Sequence, residues 1–242
     1  MKPIILNLVR FFDKEEYADQ FMQGRLRLNR LRYYKQLEDA YEDSRGDYAE
    51  APAAWWQNDN ISIEWHDHPE LNIRPQNLAE PVLFSFESYG DLNILCLTAI
   101  HTGEFNFEDG QIIVQKGDEG KLCDQLRIDE RCLGMGPFAV VMRAAEFVYR
   151  AKTVIEALGY TYNSTLVDYF DPRTFHGRFA LSDMPFRKRS KFSYQSEYRI
   201  CIDTQTKGDD PVEIDIGGIG DLAAKMPAAA VNAAFRVVTR EA

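Results

Sequence analysis

Apolar positions recur along the chain in two rhythms. Short runs alternate with a period of two and predict strands, while a few longer ones repeat near 3.6 and predict helices. ILNLVRFF (5–12) is rich in β-branched and aromatic residues and reads as a first strand. KEEYADQFMQ (14–23) reads as a short helix, with Asp13 as N-cap, Tyr17 and Phe21 on one face, and Gly24 placed to end it. RLRLNRL (25–31) alternates, so a second strand is expected with Leu26 and Leu28 on its apolar face and Arg25 and Arg27 on the other. NISIEWHD (60–67) is strand-like. PVLFSFES (81–88) and LNILCLTAI (92–100) read as a hairpin joined by the turn YGD. QIIVQK (111–116) is a short strand after the turn EDG, and GPFAVVMRA (136–144) is a buried strand. AAEFVYRAKTVIEALG (144–159) is the best helix, with Phe147, Ala151, Val154, Ile155 and Leu158 on one stripe and Gly159 as its terminator. YTYNSTLVDYF (160–170) alternates again. PFRKRSKFSYQSEYRICID (185–203) reads as a basic turn entering a long strand. PVEIDIGGIGDLAAKMPAAA (211–230) reads as a strand, a Gly-rich turn and a short helix, and AAFRVVTR (233–240) as a final strand. The sum is a single α+β domain spanning 1–242, with no internal repeat or linker.

Composition narrows the partners. No run of 18 apolar residues offers a transmembrane helix, and the first residues lack the features of a signal peptide, so a cytoplasmic protein with no membrane partner is expected. A net charge of −10 argues against broad electrostatic binding to nucleic acid. Two segments run against it, GRLRLNRLRYYK (24–35) and FRKRSK (186–191). Brought together they form a positive patch suited to a phosphate-bearing ligand or a nucleic-acid strand; held apart they are two solvated basic surfaces. The four cysteines form no C-x-x-C pair, and Cys96 and Cys201 sit in apolar runs as small buried hydrophobes, so no disulfides are expected. The H-x-H of EWHDHPE (64–70) lacks a nearby third ligand, and no metal site is assigned. The segment 38–52 carries Glu38, Asp39, Glu42, Asp43, Asp47 and Glu50 around Arg45 and is expected to be an acidic, solvated loop. GGIG (217–220) matches neither nucleotide-binding glycine pattern and reads as a turn.

One late stretch, KFSYQSEYRICID (191–203), leaves a choice open. Alternation puts Phe192, Tyr194, Ser196, Tyr198, Ile200 and Ile202 on a core face, and Gln195, Glu197 and Arg199 on the other. That second face is either the wet side of a sheet or a site. Gln195-Ser196-Glu197 resembles the Q/E-x-E motif on a late strand of ADP-ribosyltransferases. The resemblance implies NAD as a substrate, bound in a cleft between two small, mostly antiparallel sheets with few helices. It implies that Glu197 holds the ribose 2′-hydroxyl and supports the positive charge that develops as nicotinamide leaves, much as a carboxylate does in glycoside hydrolysis. Gln195 would orient the acceptor. Arg10 matches the first-strand residue that anchors the dinucleotide, and its planar fork suits a pyrophosphate. The family's middle element is represented by Ser85 and Ser88, which lack the Thr of its Ser-Thr-Ser, or by Tyr33 and Tyr34 stacking on nicotinamide. Arg25, Arg27, Arg187, Lys188 and Arg189 would frame the cleft for an anionic substrate.

A second resemblance spans 5–203. FF, YADQFMQGRLRLNRLRYYKQLED, RGD, LCLTA and the late FRK and YQSEYRI look like a diverse, largely uncharacterised bacterial family of mobile and phage-defence loci. It implies a toxin or defence role, a nucleic-acid or protein acceptor, and an antitoxin or regulatory partner. Two other readings stand beside the transferase. One is a non-enzymatic binding or sensing protein, with Trp55-Trp56 as interface anchors or as ordinary core. The other is a nuclease holding Mg²⁺ on the acidic segment.

Overall fold

The computed structural model describes residues 3–40, 46–108 and 111–235, with side chains given from 3 to 37 in the first span. Glu42, Asp43, Arg45, the end of the EDG turn and 236–240 of the expected last strand lie outside the described residues, as do the side chains of Glu38 and Asp39.

The chain is α+β. Its first half contains β1 (Ile5–Phe12), α1 (Glu15–Met22), β2 (Arg25–Arg30), α2 (Leu31–Ala40), β3 (Ala54–Trp56), β4 (Val82–Phe84) and β5 (Asn93–His101). The middle contains β6 (Asn106–Glu108), β7 (Gln111–Ile113), α3 (Glu119–Leu126), α4 (Glu130–Leu133), β8 (Phe138–Arg143) and α5 (Ala144–Ala157). The last part contains β9 (Thr161–Leu166), β10 (Asp168–Phe170), β11 (Gly177–Arg178), β12 (Arg187–Arg189), β13 (Glu197–Asp203), β14 (Val212–Asp215), β15 (Ala223–Pro227) and α6 (Val231–Ala234).

Among the described residues, eight strands form one main sheet in the order β14-β2-β5-β1-β8-β15, with β13 added to β5 and β9 to β13. Its ladders are antiparallel. Smaller sheets join β11-β3-β4, β6-β7 and, in parallel, β10-β12. β5 is the hinge of the arrangement. One edge pairs with β13 from Thr98–Glu197 to Asn93–Ile202. Thr98, Ile94 and Asn93 also pair with other strands, which must lie on the opposite edge. There the ladder with β1 stops at Val9–Thr98, and the ladder with β2 covers only Asn29–Ile94 and Arg30–Asn93. Leu95, Cys96 and Leu97 therefore face a gap between two strands, and Arg10 donates to the Cys96 carbonyl there.

The sheet is buried on both faces. On one, Phe21 of α1 and Phe147, Ala151 and Ile155 of α5 pack over Leu26, Leu95, Val140 and Ile200. On the other, Leu31, Trp55, Phe170, Phe186 and Cys201 form a second cluster. This explains why β5 reads as a continuous apolar run. α5 forms where its stripe predicts, and Gly159, at φ +78°, ends it. Leu158, at the end of that stripe, departs from the pattern and is 52% exposed.

Several local expectations are corrected. Lys14, with no side-chain cap bond, stands at the N-cap of α1, not Asp13. The inward residues of α1 are Ala18 and Phe21, and Tyr17 is exposed. Residues 60–67 form no strand, only a bridge between Ile63 and Ile73. β4 and β5 are not a hairpin, because β4 pairs with β3. Ala223–Pro227 is a strand paired with β8 where a helix was expected, and α6 ends at Ala234 within the expected last strand. In β15 the open edge of β8 overrides the helix preference of Ala and Lys.

Gly24 sits at φ +91°, and a Cβ there would run into the Gly217 carbonyl. Ile216 N–H bonds Gly24 O at 2.9 Å, so the two turns are locked together. Gly24→Ala combines a left-handed backbone with a clash and is expected to cost roughly 2–4 kcal/mol in urea unfolding.

Candidate functional site

β13 begins later than its sequence pattern suggests. Residues Ser190–Gln195 form a 3₁₀ turn, and Ser196 adopts a left-handed conformation, φ +44° and ψ +48°. Its peptide is fixed on both sides: Ala99 N–H donates to Ser196 O at 2.8 Å, and the Ser196 hydroxyl to Ala99 O at 3.1 Å. Strand alternation therefore does not set Gln195 beside Glu197. Nor is the Glu197 face wet, since Glu197 is 4% and Arg199 0% exposed.

These side chains belong to a buried network of three carboxylates and three cations. Asp47 accepts from Arg189 Nε at 2.7 Å and Nη2 at 2.6 Å. Glu50 meets Arg199 Nη1 at 3.0 Å and Lys188 Nζ at 3.3 Å. Glu197 Oε1 accepts from Arg199 Nε at 2.7 Å, and its Oε2 from Lys188 Nζ at 3.1 Å. Lys188 also donates to Gln195 Oε1 at 2.9 Å. Burial by itself would raise the Glu197 carboxyl, but Arg199 and Lys188 outweigh it and hold the group well below the usual carboxylate range. The converse holds for Lys188, where burial opposes the charge and Glu197 and Glu50 raise its pKa above the ordinary value. Burial, followed by the Glu197 charge, pushes the Cys96 thiol up to about 12. Burial likewise raises the Tyr34 hydroxyl, which stays a neutral donor at neutral pH.

A pocket of about 580 Å³ opens at the gap in β5. Its walls hold Arg10 from β1, Asn29 from β2, Tyr33 and Tyr34 from α2, Cys96 and Thr98 from β5, and Lys188, Gln195 and Glu197. Asp13, Arg131 and Met135 complete one side. Three cations thus face two carboxylates in the wall of a chain whose net charge is −10. That volume lies in the range of small-ligand sites.

Of the residues singled out in the sequence, Arg10, Tyr33, Tyr34, Lys188, Gln195 and Glu197 line this one pocket. The other expected residues do not. Ser85 and Ser88 are exposed just beyond the end of β4, outside the pocket lining. Arg25 and Arg27 point outward from β2, and Arg27 pairs with Glu213 at 3.5 Å. Arg187 pairs with Asp168 and Asp183. Arg189 is committed to Asp47. Arg187, Lys188 and Arg189 of the basic run 186–191 are therefore divided among separate acids. The acidic segment is corrected too, because Asp47 and Glu50 are buried partners of cations and not a solvated loop. Among the described residues, no group of three or more His, Cys, Asp or Glu is gathered for a metal. Trp55 is core, and Trp56 packs against Phe84 with the rings tilted by 56° and their centres 4.6 Å apart. All four cysteines are free. Among the described residues no helix is long and apolar enough to cross a membrane.

Sequence reasoning missed Asn29, Asp13, Arg131 and the network members Asp47 and Glu50. The guanidinium of Arg131 lies 3.9 Å from the Tyr194 ring centre and pairs with Asp129 at 2.8 Å. No short motif marks these positions. No protein-family model matches the chain, and comparison with curated proteins and with solved structures gives no match either.

Proposed function

We propose that the pocket at the β5 gap binds NAD and cleaves its nicotinamide–ribose bond, transferring ADP-ribose to an acceptor. The observation that carries this reading is the convergence of Arg10, Gln195 and Glu197, from positions up to 187 residues apart in sequence, on one pocket. Arg10 would meet the pyrophosphate with a charge-assisted fork. Tyr34 offers a neutral ring and hydroxyl. Glu197 would accept the ribose 2′-hydroxyl and stabilise the cationic sugar as nicotinamide leaves with the electron pair of the bond. A carboxylate has about four lone-pair positions. Arg199 takes two on Oε1 and Lys188 one on Oε2. The Cys96 thiol, a weak donor, competes for what is left. The two strands that flank the gap, β1 and β2, belong to one sheet, so the pocket opens within a sheet and not in the expected cleft between two.

A second reading is a binding or sensing pocket for an anionic nucleotide without turnover. It is favoured by the two cations on Glu197, which reduce its power to stabilise positive charge. Incubating the purified protein with labelled NAD and a bacterial lysate separates the two. Nicotinamide release with label on protein or nucleic acid supports the transferase and identifies its acceptor class. Saturable NAD binding with no nicotinamide released overturns it in favour of sensing.

A further inference from the structure

We propose that Lys188 is the positioning residue of the Gln195–Glu197 pair, joining the two side chains into one unit and leaving a fixed part of the Glu197 carboxylate toward the pocket. This rests on reading Glu197 as the group that meets the ribose. In a regular strand, residues two apart share a face and need nothing more to be neighbours. The left-handed turn at Ser196 removes that guarantee here. Lys188 supplies it instead. Its ammonium has three protons, and three acceptors lie in reach: Gln195 Oε1 at 2.9 Å, Glu197 Oε2 at 3.1 Å and Glu50 Oε1 at 3.3 Å.

The lysine is itself held. It is 2% exposed, and its ammonium lies 4.8 Å from the Phe192 ring centre. β12 pairs Lys188 with Tyr169 of β10, whose hydroxyl accepts from Glu197 N–H at 2.9 Å. β10 and β12 thus hold Glu197 of β13 at its backbone and at its carboxylate. The groups facing Glu197 are Arg199 on its own strand, Lys188 from β12, Cys96 from β5, Tyr169 from β10 and, through Lys188 and Arg199, Glu50. Tyr34 feels its charge across the pocket. An arginine at 188 would keep the charge, but its planar fork cannot meet three acceptors in the ammonium's arrangement.

Two variants, K188M and K188R, separate charge from position, with folding verified by circular dichroism. The Glu carboxyl carbons are ¹³C-labelled and titrated by NMR, with E197Q assigning the Glu197 signal. Initial rates of nicotinamide release are measured across pH on the same proteins. In K188M the Glu197 titration and the acid limb of kcat/KM should both move up by about 1–3 pH units, because two carboxylates then share Arg199. In K188R the titration should stay low while kcat falls at least about 10-fold with KM nearly kept, the mark of misplacement. A K188R enzyme with wild-type kcat would overturn the positioning role, even if K188M shifts the titration. An unshifted Glu197 titration in folded K188M would overturn it as well. A wild-type protein that releases no nicotinamide defeats the NAD reading alone. The NMR titration then decides whether Lys188 governs Glu197.

Discussion

Glu50→Ala is expected to lower the unfolding free energy by about 3–5 kcal/mol in urea denaturation at neutral pH. Glu50 is 1% exposed and bonds both Arg199 and Lys188. Removing it leaves two buried cations with Glu197 as their shared carboxylate, and an uncompensated buried charge is far costlier than a lost surface pair. The exposed pair Lys152–Glu156 gives the contrast, since its loss is expected to cost about 0.3–0.5 kcal/mol. The network also sets an acid limit. The Glu197 carboxyl is depressed in the folded state, so its contribution is present above the unfolded value near 4.5 and is lost as pH falls toward the folded one. Stability should therefore decline below about pH 4.5, and Glu197→Gln should flatten that decline.

Glu197→Gln is expected to reduce nicotinamide release at saturating NAD by about 10²–10³-fold, with NAD affinity changed far less. The substitution keeps shape and one acceptor oxygen and removes the charge. A carboxylate that acts on the developing sugar cation contributes in the transition state, so kcat falls more than binding. Some stability is lost too, because Lys188 and Arg199 then share Glu50. Rates are to be measured below the variant's own melting transition, with unfolded protein quantified beside them. An equal loss of kcat and affinity would point to a damaged pocket and not to a missing charge.

Local periodicity made much of the scaffold legible. β1 and β8 follow from apolar, β-branched and aromatic composition, β2 from alternation and α5 from an i, i+4 stripe, and Leu26, Leu28, Phe147, Ala151 and Ile155 are buried as those patterns require. The network was not legible, because its partners are remote in sequence. Asp47 and Arg189 are 142 residues apart, and Glu50 and Arg199 149 apart. Within a run of acidic and turn-forming residues, a carboxylate destined for burial looks like its solvated neighbours. Ser196 carries no signal of its left-handed turn, which Gly or Asn would have announced. Of the two candidates for the middle element, Tyr33 and Tyr34 line the pocket and the two serines do not. Ser85 and Ser88 matched a serine pattern, but β4 is drawn away to pair with β3, and β5 brings Cys96 and Thr98 to the pocket.

NAD binding at the β5 gap is to be measured by calorimetric titration into the wild-type protein, Arg10→Ala and a Ser85→Ala/Ser88→Ala double variant. If the pocket binds NAD as proposed, the wild type binds saturably, the serine variant has the same affinity, and Arg10→Ala loses about 10–100-fold, as expected for a charge-assisted contact to pyrophosphate. No NAD binding by folded wild-type protein, or binding that survives Arg10→Ala and fails in the serine variant, would contradict the proposal.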